Sequence, residues 1–510
     1  MRSLFITILI LIMFVPAAQA QIKVNDDVSI DLNGVFTTWF QYQNDFWFGR
    51  APYKDWYAVQ MLRFRPVLNY GENIKVVTRF DMGQGWWGVN NEPPSNPVNA
   101  PGRHQRPGSG TGLFDNKDTH YFFHVDQAYL WFNVPSINTA FTVGRSQWMA
   151  GHRMVIDNQY DGVKADVSMN NGSTLSFGWA FVASGIDGIS TLESVAPDWR
   201  GATDARNAYL YLTNYATTLQ NFGNTRLNAY AFYYKDHSTN DLLAYIPNRL
   251  DYKRPRFTPQ VSQLFTIGVA GNSKFGDLTL EWEANYLTGK DDFDNPDHGA
   301  ALDVDINDGT VRGYNAYVRG QYAVSPAVSL GGFLGLGSGD PDGPWGGTGN
   351  VNKLRTAGFW YLTEVWEDSI MPDEEGITPQ GLGAPNVRGY RELENTTAGQ
   401  INLTYRPAPR FSMFFSYTLL RATEPIYAWQ TQILEDGSPG PDHGPIQNMS
   451  AQDIGWEFDF KFDYRLLDRL TLTARGGYFD PGTAAAYLIN GTDQWLDPAW
   501  ELKGEVTFAF

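Results

Sequence analysis

Apolar and polar residues alternate along most of this chain, with the period of two that a β-strand gives to its two faces. In one clear segment, the apolar residues Leu278, Leu280, Trp282, Ala284 and Tyr286 alternate with Thr279, Glu281, Glu283 and Asn285. Such segments predict eighteen strands, near residues 28–42, 56–70, 73–83, 119–134, 138–148, 161–169, 172–184, 205–216, 224–236, 261–271, 275–289, 309–323, 327–338, 397–406, 410–423, 451–463, 468–480 and 498–510. Half-buried strands of this kind occur both in soluble sandwiches and in membrane barrels.

The connections between these segments favour a barrel, because they alternate between short and long. Tight turns are predicted at residues 70–73, 135–138, 170–172, 272–274, 325–326 and 407–409, whereas the intervening gaps are longer, up to residues 339–396. This alternation is typical of an all-β, transmembrane, up-and-down antiparallel barrel, with short periplasmic turns at one rim and long extracellular loops at the other. We therefore expect residues 21–510 to form one outer-membrane β-barrel domain of about 18 strands.

The last predicted strand carries a second signal for the same architecture. Its apolar positions run from Trp500 to Phe510, where the sequence ends on an aromatic residue. A closing strand with a terminal aromatic resembles the C-terminal signal that the barrel assembly machinery reads in outer-membrane proteins. Phe510 is thus expected to contact that machinery.

The first twenty residues have the composition of a secretory signal peptide. Arg2 precedes an apolar run over residues 4–15 that is interrupted only by Thr7, and Ala18-Gln19-Ala20 fits the small-x-small cleavage pattern. The run is too short for a spanning helix of about 20 residues. Cleavage is expected before Gln21, and the alternative is an uncleaved anchor. Together with the barrel pattern, this predicts an integral protein of a Gram-negative outer membrane.

Composition excludes several other classes of protein. The chain has no cysteine, so it has no disulfide framework, no thiolate nucleophile and no Cys-ligated metal site. Its 55 acidic and 38 basic residues give a formal charge of −17, which argues against a nucleic-acid partner. Aromatic residues reach 15% of the chain, as expected if many of them contact membrane lipid.

If the apolar strand faces contact lipid, the polar faces line the interior, and their charges divide into two arcs. The basic arc contains Arg63, Arg65, Lys75, Arg79 and Lys164, accompanied by Asp81 and Asp166. The acidic arc contains Glu281, Glu283, Asp453, Glu457, Asp459, Glu501 and Glu505, accompanied by Lys461 and Lys503, and Arg319 is a further candidate lining residue. Facing charges of opposite sign would orient polar solutes in a pore. Alternatively, they only solvate the lumen or pair with each other.

The long connections offer two further hypotheses. Residues 339–396 carry an aromatic cluster that either folds inward as a constriction or forms a lid outside. The connection near residue 300 is rich in aspartate, and Asp303, Asp305 and Asn307 resemble the start of a calcium loop. The glycine spacing and the missing glutamate exclude an EF-hand. The candidates are therefore a weaker calcium site or a solvated acidic loop.

Short motifs on the fourth to sixth and the thirteenth predicted strands resemble those of the alginate-export-type outer-membrane porins. They are Gln127-Ala128-Tyr129-Leu130, Val143-Gly144-Arg145, Asp157-Asn158-x-Tyr160-Asp161-Gly162-Val163 and Gly337-Ser338-Gly339-Asp340. The resemblance implies passive, energy-independent passage of solutes through an 18-stranded monomeric barrel. In the alginate exporter a strongly basic lumen selects an anionic polysaccharide, whereas here the acidic arc is at least as long as the basic one.

The function predicted from the sequence is therefore a porin for passive passage of small hydrophilic or anionic solutes, saccharides among them. No nucleophile–base pair, nucleotide motif or metalloprotease motif occurs in the sequence, so neither enzymatic activity nor a required cofactor is expected. The alternative is a non-transport outer-membrane barrel: a hydrolase, an adhesin or a scaffold with a plugged lumen. A third possibility is a barrel that sheathes a partner such as an electron carrier.

Overall fold

The structure is a computed structural model that describes most of the predicted strands and parts of their connections. It covers residues 20–50, 52, 54–87, 122–183, 208–236, 263–291, 309–339, 341, 360–370, 392–433 and 439–510. Residues 1–19 of the predicted signal peptide (residues 1–20) lie outside the described residues, as do Asp303, Asp305 and Asn307 of the candidate calcium site.

The described residues form nineteen strands, almost all of which coincide with predicted segments. They are β1 (Ala20–Lys23), β2 (Val28–Asn44), β3 (Lys54–Tyr70), β4 (Ile74–Trp86), β5 (Phe122–Val134), β6 (Thr139–Met149), β7 (Asp157–Ser168), β8 (Thr174–Ala183), β9 (Ala208–Leu219), β10 (Thr225–Asp236), β11 (Gln263–Phe275), β12 (Leu278–Asp291), β13 (Gly309–Ala323), β14 (Val328–Gly337), β15 (Thr396–Ala408), β16 (Phe411–Ile433), β17 (Pro439–Leu467), β18 (Leu470–Pro481) and β19 (Ala499–Ala509). One α-helix, α1 (Thr483–Asn490), precedes β19.

Strands β2 to β19 close into a single antiparallel barrel of eighteen strands. Each pairs with its neighbour in chain order, and β19 pairs with β2 to complete the ring. The predicted architecture is confirmed. Closure matters physically because it leaves no strand edge with unpaired backbone N–H and C=O groups, a condition that hydrocarbon imposes on any spanning sheet.

The seam of the barrel is completed by the two ends of the described chain. The backbone N–H and C=O of Phe510 both pair with Gly34 at 2.9 Å. Beyond that point β1 folds back on β2, with Ala20 opposite Leu32, and continues the line of β19. The edge of β2 is therefore covered by β19 over residues 35–44 and by β1 over residues 29–32.

The outer surface of the barrel is apolar. Exposed side chains on its strands include Phe177 (51%), Leu334 (68%), Ile401 (69%) and Leu419 (56%), whereas the residues that alternate with them are buried or polar. A soluble protein rarely exposes an apolar surface that runs across so many neighbouring strands, so this face is suited to lipid. Among the described residues, no helix is both long enough and apolar enough to cross a membrane.

One predicted connection is much shorter in the structure. The alternation ends near residue 423 and resumes near 451, which predicts a long loop, yet β16 reaches Ile433 and β17 begins at Pro439. The ladder between them is irregular, with shifts of register around Arg421 and Ile426. Bulges of this kind change which face a side chain takes, so the pairing continues although the alternation does not.

Candidate functional site: the barrel interior

Three segments from the long-connection side of the barrel lie inside it. They are the β6–β7 connection (residues 150–156), the inward segment (residues 360–370) and helix α1. Each has fully buried apolar side chains, such as Met154, Trp366 and Leu488, which belong to one hydrophobic cluster with residues of the barrel wall. The interior is therefore narrowed, and part of residues 339–396 folds inward, which was one of the two predicted placements.

The inward segment is fixed to the wall formed by β17, β18 and β19. It ends in a π-helical turn, Trp366–Ile370. The Glu457 carboxylate accepts hydrogen bonds from the backbone N–H groups of Val365 (2.6 Å) and Trp366 (2.9 Å). A carboxylate in this position satisfies amide groups that have no partner within the turn. The Trp366 ring stacks on Phe479, with 5.0 Å between the ring centroids.

A buried cation and a partly buried one strengthen this attachment. The Lys503 ammonium lies 2.8 Å from Asp368 of the inward segment and 2.7 Å from Glu501 of its own strand. Arg475 lies 3.0 Å from Glu364 of the segment and 2.8 Å from Glu505 on the wall. The Lys503 side chain is only 5% exposed. Charged pairs with so little contact with water are screened weakly, and loss of one partner leaves a charge buried.

The same cluster contains three carboxylates whose oxygens lie within 4.8 Å of one another, those of Glu364, Asp368 and Glu501. This spacing would suit a metal ion. However, the Lys503 ammonium lies within 4 Å of all three carboxylates, at 3.9 Å from the Glu364 oxygen. The cluster is consequently an ion-pair network in which a lysine occupies the position that a cation would take.

The other end of the inward segment contacts a different part of the wall. The Trp360 ring packs against Tyr317 of β13 and Phe333 of β14, at centroid distances of 5.4 and 5.7 Å. The Arg319 guanidinium lies over Phe333 (5.6 Å) and near Trp360 (6.0 Å). Since these strands are separated from β17 by β15 and β16, the inward segment bridges the interior between two sections of the barrel.

The β6–β7 connection makes a second bridge, towards β10–β13. The backbone N–H of His152 donates to Glu283 (2.5 Å), and its imidazole Nδ1 lies 2.9 Å from the Tyr317 hydroxyl. The imidazole Nε2 lies 2.9 Å from the Asn272 amide nitrogen. Glu283 also accepts from the Tyr230 hydroxyl at 2.8 Å. One carboxylate on β12 thus anchors a connection that starts several strands away.

These contacts correct the predicted role of two lining residues. The sequence places Glu283 and Glu457 on the wall of an open lumen. Both side chains do lie on the interior face, but they are 1% and 0% exposed because the two bridging segments cover them. The strand alternation identifies the face of a residue, whereas only the fold shows what packs on that face.

The predicted basic arc is partly neutralised. Arg63 forms two hydrogen bonds of 2.7 Å with Asp81, and Arg79 pairs with Asp126. Asp81 was among the predicted lining residues, but Asp126 was not. A register shift beside Arg79 in the β4–β5 ladder puts both Asp126 and its neighbour Gln127 among the buried residues, which strict alternation could not predict.

The remaining predicted lining residues differ in their partners. Lys75 lies over the Trp131 ring at 5.1 Å, and Arg65 is exposed on the same face of β3 as Arg63. Lys164 lies 5.3 Å from the Trp148 ring centroid and donates to the Gln147 carbonyl at 2.8 Å. Glu281 and Arg319 are about one-third exposed and lie 3.4 Å apart. Whether these residues line a conducting path stays a prediction.

A cavity of about 330 Å³, lined in part by polar side chains, lies between the β6–β7 connection and strands β8–β11. Its lining includes His152, Thr217, Arg226, Asn228 and Asn272. Arg226 is exposed. It lies on the interior face, because it shares the even positions of β10 with the buried residues Tyr230 and Phe232. Arg226 was not among the predicted lining residues, although its place in the alternating pattern of β10 would have been sufficient to predict it.

No protein-family model and no curated protein matches the chain. Among solved structures, it is similar to Pseudomonas aeruginosa OccK8 (OprE), with a TM-score of 0.49, 11% identity and coverage of 94% of this chain and 98% of the other. It is also similar to Acinetobacter baumannii OccAB2 (TM-score 0.49, 12% identity, coverage 94% and 98%) and to P. aeruginosa OpdK with vanillate (0.47, 10%, 95% and 98%). The fold follows from the strand pairing of this chain.

Proposed function

We propose that this protein is a bacterial outer-membrane channel for the passive passage of small hydrophilic or anionic solutes. The observation that carries the proposal is the combination of a closed eighteen-stranded barrel, an apolar exterior and a charged interior. A barrel of 16–18 strands is too wide for its own side chains to fill and typically encloses an aqueous channel. The two bridging segments narrow such a channel to a selective passage.

A preference for anions is supported by cations of the interior that have neither an ion-pair nor a hydrogen-bond partner among the described residues. Arg65, Lys75 and Arg226, called the unpaired cations below, are three of them. In the part of the chain that the structure describes, none of the three forms an ion pair, and Arg65 and Arg226 are exposed. By contrast, Arg63, Arg79 and Arg319 all have carboxylate partners. The three unpaired cations lie towards the short-turn end of their strands. Uncompensated charge in a confined lumen attracts counter-ions more strongly than paired charge does.

We place the long connections outside the cell and the short turns in the periplasm, after cleavage of the signal peptide before Gln21. The motifs that resemble those of the alginate-export-type porins support the channel role. They do not extend to alginate itself, because the basic arc is short and the acidic arc is at least as long. We also propose calcium binding by Asp303, Asp305 and Asn307, which calorimetric titration of the chelator-treated protein with Ca²⁺ would test.

Conductance of the purified protein in a planar bilayer tests the channel proposal. Steady single-channel current is expected, with a reversal potential in a KCl gradient that indicates anion preference. The alternative function is a plugged scaffold, which is favoured by the complete burial of Trp366 within the inward segment and of Glu457 beneath it. A correctly folded barrel that carries no current under any salt condition would support the scaffold and contradict the channel.

A further inference from the structure

Three cations lie on the outer face of the barrel between β10 and β13, near the long-connection end of these strands. They are Lys235 on β10, Lys290 on β12 and Arg312 on β13. On each strand the residues of the same parity, Tyr233, Tyr286 and Tyr314, are 38–46% exposed. The residues of the opposite parity, Tyr234, Leu287 and Val311, are at most 1% exposed and belong to the interior cluster. The three cations therefore point away from the lumen.

The strand register brings these cations together. Lys235 and Lys290 are both paired with Gln263 of β11, one on each side of it. Their Cα atoms are thus about 10 Å apart, twice the spacing of neighbouring strands. Arg312 is paired with Thr288, two residues from Lys290 on the same face, which puts its Cα about 8 Å from that of Lys290. Three long side chains at these distances can converge on one headgroup.

The surface next to these cations shows what kind of partner fits them. Further from the strand ends than the cations, the outer face of β9 to β13 carries five exposed aromatic residues. They are Tyr211, Tyr233, Phe265, Tyr286 and Tyr314. Aromatic residues of this kind mark the boundary between the hydrocarbon and the headgroup region. The cations lie just beyond that boundary, where Lys and Arg stems can extend along apolar surface while their charges reach the headgroups.

We propose that Lys235, Lys290 and Arg312 form a binding site for the phosphate-bearing headgroup of an outer-leaflet lipid. Arg312 offers a planar guanidinium that binds phosphate through two parallel hydrogen bonds, and the two lysines add compact charges on either side. The site is basic although the chain carries −17 overall, so its charge is complementary to an anionic headgroup. The proposal rests on the membrane orientation given above and is independent of transport.

Native mass spectrometry of the detergent-solubilised protein with lipid A tests the site. Wild-type protein is expected to retain lipid A and to bind the same glycolipid far more weakly once its phosphates are removed. The variant Lys235→Gln/Lys290→Gln/Arg312→Gln is expected to lose affinity on the order of 100-fold, about fivefold for each cation near an anionic headgroup. Raising the salt concentration from about 0.1 M to 1 M should weaken wild-type binding, as the screening length falls from about 10 to 3 Å.

A matched control removes the same charge from the other rim, by Lys274→Gln, Arg406→Gln and Arg410→Gln, all of which are exposed. This control should bind lipid A like the wild type. Equal loss in both triple variants, or none in the first, overturns the site. Binding of inorganic phosphate as tight as that of lipid A overturns the assignment to a lipid. If the triple variant fails to fold, the single variants Arg312→Gln and Arg312→Lys provide the same comparison. Arg312→Gln should weaken binding about fivefold, whereas Arg312→Lys keeps the charge, loses the second hydrogen bond and should weaken binding less. Epitope labelling of intact cells tests the orientation separately.

Discussion

Neutralising the carboxylates of the inward segment should release it from the barrel wall and change the channel current. The double variant Glu364→Gln/Asp368→Asn keeps the size of both side chains but removes the charges that face Arg475 and Lys503. Each cation keeps one carboxylate on the wall, since Glu505 lies 2.8 Å from Arg475 and Glu501 lies 2.7 Å from Lys503. The wall itself is therefore expected to keep its structure.

The size of the effect follows from what each cation loses. Removing the only partner of a buried charge costs about 3–5 kcal/mol. Because each cation here keeps a second partner, we expect about 1–2 kcal/mol per pair, and about 2–4 kcal/mol for both. At 1.36 kcal/mol for each factor of ten, the population of the displaced segment rises about 30- to 1,000-fold. The hydrogen bonds to Glu457 and the packing of Trp366 remain, so displacement should be transient.

Single-channel recording in a planar bilayer measures this directly. The wild type is expected to show one main conductance level, and the double variant should show frequent excursions to a higher level as the segment leaves the lumen. The variant Asp166→Asn/Asp463→Asn is the matched control, because it removes two interior carboxylates that do not contact the described residues of the segment. A folded Glu364→Gln/Asp368→Asn channel with wild-type conductance and gating would show that these ion pairs do not hold the constriction.

Three further predictions concern selectivity, topology and stability. Glutamine at the three unpaired cations of the interior should shift the reversal potential towards cations at low salt, and more so than glutamine at the paired Arg63 and Arg79; equal shifts in the two variants would mean that pairing does not matter. An epitope inserted near Pro344 should label intact cells while one at Asn170 should not, and surface labelling at Asn170 would reverse the orientation. Trp366→Ala should lower the free energy of unfolding by about 3–5 kcal/mol, since the ring is fully buried against Phe479. Thermal or denaturant unfolding in detergent checks this value, and a loss below about 1 kcal/mol would contradict it.

The barrel itself could be predicted from the sequence because its rules are local. Alternation with a period of two assigns each strand residue to one face, and short turns impose antiparallel neighbours. The eighteen predicted segments thus match β2 to β19, and the ring closes through Phe510 and Gly34 as the terminal aromatic strand suggested. The interior position of charged residues such as Arg63, Arg319 and Lys164 followed from the same periodicity.

Only the tertiary structure decided which interior charges are paired and which are covered by other segments. No local pattern shows that Glu283 receives the backbone of residue 152, that Glu457 caps residues 365–366, or that Lys503 lies among three carboxylates. Apart from the Lys503–Glu501 pair, these contacts join residues more than 90 positions apart in the chain, and each depends on a long connection folding inward rather than outward. Likewise, the partner of Arg79 depends on a bulge that places Asp126 out of step with the alternation. Strand periodicity is a property of neighbouring residues, whereas the pairing and covering of interior charges depend on which distant segments meet within the closed barrel.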